Sequence, residues 1–285
     1  MGQKGVSVLN DLVAKGFSGM IDKVIAARDR NVVNDYYEDI RQIAIRGEVP
    51  FFDRTEDIII SSRYCIAISW RWMIHLPSGS ELIVLHDSLL PKYRGFAPLV
   101  NMLINREPVI GVSAIIASDE FDKGPVIAQA SCSVRYPVRV QDAIEMLAPK
   151  YSELVFGIFM RLASNSGIEV VPQRESEASF SLWRDEEDYR INWNDSSEDI
   201  RQFVYSVGYP YKGASCLCDG ELLRIFDCEP YPDVVIENRV PGKLLFMVEG
   251  CPVIVCGRGL LKITELENDR GDNMLPLRKF RVRLK

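Results

Sequence analysis

Two side chains that can transfer protons follow neighbouring apolar segments in the middle of the chain. His86 ends the apolar segment 82–86, and Asp122 lies in a glycine-containing turn after the next apolar segment, 109–117. An imidazole and a carboxylate at neighbouring strand ends can converge in one crevice of an α/β sheet. The pair therefore predicts acid–base chemistry, because imidazole gains and loses a proton near neutral pH. The alternative is a capped core histidine and an unrelated turn aspartate.

The elements that must position this pair alternate between strands and helices. Apolar periodicity predicts strands at 82–86, 109–117 and 126–131 and helices at 98–105 and 140–163. The apolar residues of the strands run continuously, which indicates a mostly parallel sheet covered on both faces. The sequence therefore predicts an α/β fold for this part of the chain.

The N-terminal segment shows the same alternation. An amphipathic helix with Val6, Leu9 and Val13 on one face is followed by Gly16 as its cap. The pieces predicted after it are an apolar stretch at 20–27, a helix at 34–46 and short apolar segments at 49–52 and 64–68.

The pattern changes after residue 171. The segment 172–179 is polar and rich in turn-forming residues, which is typical of a connector. We therefore predict two domains, 1–178 and 179–285. The second contains a helix at 196–207 with Ser197 as its cap, followed by short apolar strands separated by glycine turns. Such spacing indicates a small, curled β-barrel.

Composition excludes several classes of protein. The chain has 285 residues, 47% of them hydrophobic, and its 34 basic and 40 acidic residues give a net charge of −6. This balance argues against a general polyanion binder. The seven cysteines are odd in number and the two histidines are few, so we expect reduced thiols and no metal site. With no export signal or membrane-spanning segment in the sequence, a cytoplasmic protein is expected.

Two motifs resemble a known family. The segments 86–95 (HDSLLPKYRG) and 119–124 (DEFDKG) are similar, in residues and in spacing, to the signature of the folate-dependent formyltransferases. This family includes glycinamide ribonucleotide transformylase, methionyl-tRNA formyltransferase and the N-formyltransferases of nucleotide-linked amino sugars. The resemblance extends to about residue 165 and more weakly beyond it, at Trp193, 209–214 and 241–242. It implies a Rossmann-like formyltransferase domain and a smaller C-terminal β-barrel-like domain.

The resemblance also implies a reaction and its residues. A primary amine would attack the formyl carbon of N10-formyltetrahydrofolate, with His86 polarising the oxyanion or shuttling the proton. Asp122 would set the state of His86 and position the amine. The segment that would receive the folate is Trp70, Arg71, Trp72, Met73 and Ile74, together with Asp119. The two tryptophans are alternatively core residues.

The chain departs from the family pattern at two places. The family's asparagine two residues before the histidine falls on Val84, which cannot donate a hydrogen bond to an oxyanion. Losing one such donor costs about 10²–10³-fold in rate, and Asp87 and Asn101 are candidate substitutes. The family also begins with a strand that leads into a glycine-containing turn, which Gly2–Gly5 resembles with nothing before it. Either the first strand is truncated or the start differs, and in both cases we expect the central sheet to lack one member. Lys4 in this turn, at a helix N-terminus, is expected to bind phosphate, and a solvated terminal loop is the alternative.

The acceptor that fits best is a nucleotide-linked amino sugar for surface-glycan synthesis, such as the O-antigen of lipopolysaccharide. The acidic balance argues mildly against transfer RNA, and glycinamide ribonucleotide enzymes usually lack the second domain. The predicted substrate contacts are Lys4, Arg28, Asn34, Lys92, Tyr93, Arg94, Tyr209 and Tyr211. The alternatives are a methionyl-tRNA formyltransferase and a catalytically weakened homologue that binds folate or nucleotide. We expect no membrane or nucleic-acid partner, and the apolar strands of the second domain could form a homodimer face.

Overall fold

The computed structural model describes residues 2–30, 32–277 and 279–285, and the chain divides into two compact units. The first unit comprises the residues up to 102 together with 108–134 and 142–183. The second comprises 103–107, 135–141 and the residues from 184 onward. The units group residues that lie close together in space, and such grouping does not show which segments fold on their own. The division into domains 1–178 and 179–285 therefore stays a prediction.

In the part of the chain that the structure describes, four α-helices lie wholly or mainly in the first unit. They are α1 (Gly2–Ala14), α2 (Tyr37–Arg46), α3 (Pro98–Ile104) and α4 (Val140–Ala163). The four predicted helices are confirmed, and α4 has the predicted bounds. The predicted turn at Gly2–Gly5 is wrong, because the buried face of α1 continues back to Lys4 and these residues form its first turn.

Within the described residues, eight strands lie in the first unit. They are β1 (Val24–Ala26), β2 (Phe51–Asp53), β3 (Tyr64–Ile68), β4 (Glu81–His86), β5 (Arg94–Gly95), β6 (Val109–Ile116), β7 (Val126–Ser133) and β8 (Phe180–Ser181). A four-stranded sheet has the order β3-β4-β6-β7, and two pairs, β1-β2 and β5-β8, are separate. The α/β class is confirmed.

The direction of the strands is mixed. The β1-β2, β3-β4 and β5-β8 ladders are parallel, as the prediction of a mostly parallel sheet requires. Within the four-stranded sheet, however, β6 pairs antiparallel with both β4 and β7. Antiparallel strands that are buried on both faces carry the same continuous apolar pattern as parallel ones, so the pattern did not distinguish them.

Strand β4 separates a packed core from the candidate site. Alternate residues of a strand face opposite sides of the sheet. Ile83 and Leu85 are buried in a cluster with residues of α1 and α4, such as Val8 and Val155. Val84 and His86 therefore face the opposite side, away from that core.

The second unit is a helix and an antiparallel sheet. Its elements are α5 (Ser197–Val207), β9 (Ala214–Cys218), β10 (Glu221–Tyr231), β11 (Leu244–Val248), β12 (Cys251–Val255) and β13 (Leu260–Asn268), with the sheet order β11-β12-β13-β10-β9. The cap of α5 is Ser196 and not Ser197 as predicted, because the Ser196 hydroxyl accepts from the Asp199 amide.

The sheet of the second unit resembles a β-barrel that is not closed. Among the described residues the strand ladders stay open between β11 and β9. The C-terminal residues bridge this opening, since Leu284 donates to the Gly242 carbonyl and Lys285 exchanges two backbone hydrogen bonds with Leu217. The sheet is thus curled as expected, but the closure consists of isolated bridges.

Three further features concern the described part of the chain. None of the seven cysteines is in a disulfide, and burial raises the pKa of Cys216 to about 12, so this thiol is protonated at neutral pH. No group of three or more His, Cys, Asp or Glu side chains there could hold a metal ion. No helix in that part combines the length and the apolar character needed to cross a membrane.

Candidate active site

His86 lies buried at the carboxyl end of β4, with oxygen atoms facing both of its ring nitrogens. Its Nε2 is 2.8 Å from the Tyr93 carbonyl oxygen, to which it donates because a carbonyl only accepts. Its Nδ1 is 3.4 Å from Oδ1 of Asp122. Only 7% of the His86 side chain is exposed. The ring is therefore held in one orientation, with its second nitrogen directed at a carboxylate.

Asp122 is held by the backbone of β5, which follows His86 in the chain. Its Oδ2 accepts a hydrogen bond of 2.8 Å from the amide of Gly95, and its own backbone has a positive φ of 55°. The left-handed conformation is uncommon for residues other than glycine, and such strain is concentrated at functional sites. The structure thus brings His86 and Asp122 together.

The route by which Asp122 reaches His86 differs from the predicted one. Because β6 runs antiparallel to β4, Ile116 at its end lies opposite Ile83, at the far end of β4 from His86. The loop 117–125 must therefore turn back toward His86. Gly124 permits this turn by packing on the Ile116 carbonyl, where a Cβ atom would lie 1.7 Å from the oxygen.

The side chains of buried Ser113 and exposed Gln129 hold the loop that follows His86. The hydroxyl of Ser113 accepts from the Leu90 amide at 3.0 Å and donates to the Ser88 carbonyl at 2.6 Å. The amide of Gln129 donates to the Leu90 carbonyl at 2.9 Å. Ser113 and Gln129 were not predicted as site residues, although a polar residue inside an apolar strand is a usable signal.

Asp87 faces the core and not His86. Its Oδ2 is 2.5 Å from Nζ of Lys4, and its Oδ1 accepts a 2.5 Å hydrogen bond from the hydroxyl of Tyr151. Lys4 and Tyr151 are both buried. The ammonium group expected to meet a phosphate is thus paired inside the protein.

The side chains of both candidate substitutes for the missing asparagine are hydrogen-bonded to groups other than His86. Asp87 is held by Lys4 and Tyr151, and the Asn101 amide donates to the Ala97 carbonyl, just before α3, at 2.9 Å. Val84 lies two residues before His86 on the same face of β4.

The predicted folate segment begins at the same edge of the sheet as His86. Strands β3 and β4 are parallel with Ile68 opposite Leu85, so residues after Ile68 emerge beside His86. Trp70 and Trp72 pack edge to face at 5.2 Å, and the Trp70 Nε1 is buried with no hydrogen-bond partner among the described residues. Trp70 therefore presents a donor without an acceptor.

A cavity of about 680 Å³ adjoins this segment. It is lined mainly by apolar residues, including β1, β3, Trp70, Met73 and Ile74. The β1-β2 pair is not hydrogen-bonded to the four-stranded sheet. Of the remaining predicted folate residues, Arg71 forms an ion pair of 3.0 Å with Asp29, and Asp119 is exposed in the loop 117–125.

The predicted substrate contacts near His86 have different surroundings. Lys92 is exposed, and its carbonyl accepts from the Ser88 hydroxyl at 2.6 Å. The Tyr93 amide donates to the Ser179 hydroxyl at 2.9 Å. Arg94 is only 1% exposed, and its guanidinium binds Gln173 and Glu175, so it is engaged within the protein.

The other predicted substrate contacts lie elsewhere in the fold. Arg28 forms an ion pair of 3.4 Å with Asp35, and the Asn34 side chain accepts from the Tyr36 amide at 3.0 Å. Tyr209 and Tyr211 belong to the second unit and follow α5. None of these four residues is placed against His86 by a described contact.

Two family models match the chain. The model "Formyl transferase" matches residues 55–154, and "Formyl transferase, C-terminal domain" matches residues 184–281. The methionyl-tRNA formyltransferase of Thermodesulfovibrio yellowstonii is 29% identical over 198 residues, which are 70% of this chain and 61% of the relative. The match thus spans about three fifths of that relative's length.

Solved structures share the fold at low sequence identity. HypX from Aquifex aeolicus aligns with 87% of this chain and 44% of its own, with a TM-score of 0.63 and 18% identity. An N-formyltransferase from Helicobacter canadensis, in complex with folinic acid and dTDP-3-aminofucose, aligns with 92% of this chain and 95% of its own. Its TM-score is 0.58 and its identity 15%.

Proposed function

The chain belongs to the formyl transferase family, and we propose that it moves a formyl group from N10-formyltetrahydrofolate to the amine of a nucleotide-linked amino sugar. The observation that carries the proposal is the buried His86–Asp122 pair, with 3.4 Å between Nδ1 and Oδ1. A buried imidazole beside a carboxylate is suited to transferring a proton during acyl transfer.

The reaction needs one proton to be moved. The amine nitrogen bonds to the formyl carbon, and the tetrahedral intermediate carries an oxyanion. We assign the amine proton to the His86–Asp122 pair, which returns it to N10 as the bond between N10 and the formyl carbon breaks. Protonated His86 also stabilises the oxyanion electrostatically. One carbon–nitrogen bond forms and one breaks, and the proton ends on tetrahydrofolate.

The surroundings of Trp70 support a folate co-substrate. The unpartnered Trp70 Nε1 is a donor for a pterin or amide oxygen, and Met73 and Ile74 line the apolar cavity beside it. Ligand sites combine an apolar lining with a few placed polar groups. We assign folate binding to this segment on that basis.

Charge and alignment length support a sugar acceptor over transfer RNA. The net charge of −6 supplies no overall attraction for a polyanion. In structural alignments, the sugar-bound Helicobacter enzyme covers 92% of this chain, whereas a methionyl-tRNA formyltransferase from Clostridium thermocellum covers 73% of it. The 29% sequence identity to the methionyl-tRNA formyltransferase of Thermodesulfovibrio yellowstonii is the observation that favours transfer RNA as the second candidate.

The acceptor can be tested directly. The purified protein is incubated with N10-formyltetrahydrofolate and either a panel of nucleotide-linked 3-amino and 4-amino sugars or initiator methionyl-tRNA, while tetrahydrofolate release is followed. We expect release that depends on one of the sugars. If only the methionyl-tRNA is formylated, the acceptor is tRNA and not a nucleotide-linked sugar. Folate binding without transfer to any amine would indicate a weakened homologue, and release without amine would indicate hydrolysis.

Replacing Val84 by Asn is expected to raise kcat by about 10-fold or more, because it would supply an oxyanion donor on the face of β4 that carries His86. The measurement is the steady-state rate of formyl transfer with the acceptor that the preceding experiment identifies. Val84→Thr is the size-matched control and should change kcat by less than about 3-fold, since its hydroxyl is shorter. An unchanged or lower kcat in Val84→Asn would show that the position does not face the reacting carbon.

A further inference from the structure

The polar segment predicted as a connector contacts both loops that carry the His86–Asp122 pair. Val171 exchanges two backbone hydrogen bonds with Val126, at the end of the Asp122 loop. Further along, the Ser179 amide donates to the Pro91 carbonyl and its carbonyl accepts from the Arg94 amide, in the loop after His86. The segment 171–181 is thus anchored on both sides of the site.

Gln173 makes the central contacts of this segment. Its Nε2 donates to the carbonyl oxygens of Asp122 and Gly124, at 2.6 and 2.7 Å. Its Oε1 accepts from Nε and Nη2 of Arg94, at 3.1 and 2.9 Å. Carbonyls only accept and a guanidinium only donates, so a single orientation of the amide satisfies all four contacts.

Arg94 carries the connection to the other loop. Its buried guanidinium also donates to Glu175 at 2.8 Å, and this contact lowers the pKa of the Glu175 carboxyl. Arg94 is joined in β5 to Gly95, whose amide donates to Oδ2 of Asp122. Gln173 therefore binds the Asp122 turn directly and, through Arg94, the strand that holds the Asp122 carboxylate.

The Asp122 turn needs such support. Asp122 adopts a left-handed backbone conformation, with a φ of 55°, which is unfavourable for a residue with a side chain. The two bonds from Gln173 fall on the carbonyls of Asp122 and Gly124, on either side of Lys123. Strained backbone persists when the surrounding contacts over-determine it.

We propose that Gln173 is a positioning residue that holds Asp122 opposite His86. This inference rests on the proposed function only for its effect on rate. Gln173 acts through Asp122 and does not touch the reacting atoms. The segment 171–181 is accordingly a structural part of the site and not a linker.

The test replaces Gln173 by Glu, which can still accept from Arg94 but directs a second oxygen at two carbonyl oxygens. We expect kcat to fall by about 10²-fold, the effect of an ångström-scale misplacement, while KM for either substrate changes less than about 3-fold. Arg174→Ala is the control on the same segment, because its side chain is exposed and pairs only locally with Glu177. Gln173→Met, of similar size, serves if Gln173→Glu does not fold.

A second measurement does not require activity. The chain has two histidines, so the ring nitrogen signals of His86 can be resolved by NMR with exposed His75 as an internal reference. We expect Gln173→Glu or Gln173→Met to shift the His86 signals and leave those of His75 unchanged. In an Asp122→Asn background, the same Gln173 substitution should lower kcat little further, because both changes remove the same action of the Asp122 carboxylate on His86.

Two results would overturn the proposal. One is a variant with unchanged His86 signals, whatever its melting temperature, since that is the outcome for a residue that only stabilises the fold. The other is a full, additive loss of kcat in the Asp122→Asn background. If no formyl transfer is found with any acceptor, the NMR comparison still decides the role of Gln173.

Discussion

Replacing His86 by Asn or Asp122 by Asn is expected to lower kcat for formyl transfer by at least about 10²-fold, the usual contribution of general acid–base catalysis. An amide in either position can keep part of the hydrogen bonding but cannot move the proton between amine and folate. The His86 side chain is 7% exposed and its Nδ1 lies 3.4 Å from Asp122, so water cannot readily replace either group. The measurement is kcat under saturating folate and acceptor, with single-turnover rates to isolate chemistry.

A variant that carries both substitutions distinguishes a catalytic pair that acts as a unit from two residues that act independently. Groups that act as a unit lose about as much rate singly as together. We therefore expect the His86→Asn, Asp122→Asn protein to be about as slow as the slower single variant. Asp39→Asn, exposed on α2, is the control and should leave kcat within about 2-fold of the parent. A rate near that of the parent in either single variant would remove that residue from the mechanism.

Replacing Gly124 by Ala is expected to destabilise the protein by about 3 kcal/mol or more and to reduce kcat as well. The added Cβ would lie 1.7 Å from the Ile116 carbonyl oxygen, and both are backbone-fixed atoms, so no side-chain rotation can relieve the overlap. Either the end of β6 or the turn carrying Asp122 must move. The measurement is the free energy of unfolding in urea, together with kcat.

The matched control is Gly157→Ala, within α4, where an added Cβ meets nothing within 4 Å. It should leave kcat unchanged and stabilise the protein by up to about 1 kcal/mol, because alanine favours a helix over glycine. Equal stabilities for Gly124→Ala and the parent would mean that the 117–125 loop does not pack on β6 as described. A loss of stability without a loss of kcat would mean that Asp122 tolerates movement of its turn.

The positions of most elements followed from local pattern alone. Strand β3 and helix α4 have the bounds that the apolar residues predict. The side-chain repeat is two residues in a strand and 3.6 in a helix, so residues close together in the sequence are enough to recognise each element. The errors lie at helix ends. The cap of α5 is one residue earlier than predicted, and α1 extends over the expected turn at Gly2–Gly5. Ends depend on single contacts, which periodicity does not report.

The chemical types in the site were also evident from the sequence. The motifs at 86–95 and 119–124 indicated the family and the His86–Asp122 pair. Their roles, the folate segment and the sugar acceptor stay predictions that the experiments above address. The departure at Val84 was equally visible, since it is a matter of residue type alone.

The tertiary structure decided how the pair is assembled. The sequence did not show that β6 reverses against β4, because buried parallel and antiparallel strands share one apolar pattern. The sequence also did not predict the contact of Lys4 with Asp87 or that of Gln173 with the Asp122 turn. The first joins residues 83 positions apart and the second residues 51 positions apart. Local sequence thus determined which elements form and which groups can react. Long-range packing, which depends on the whole chain at once, determined which of those groups meet.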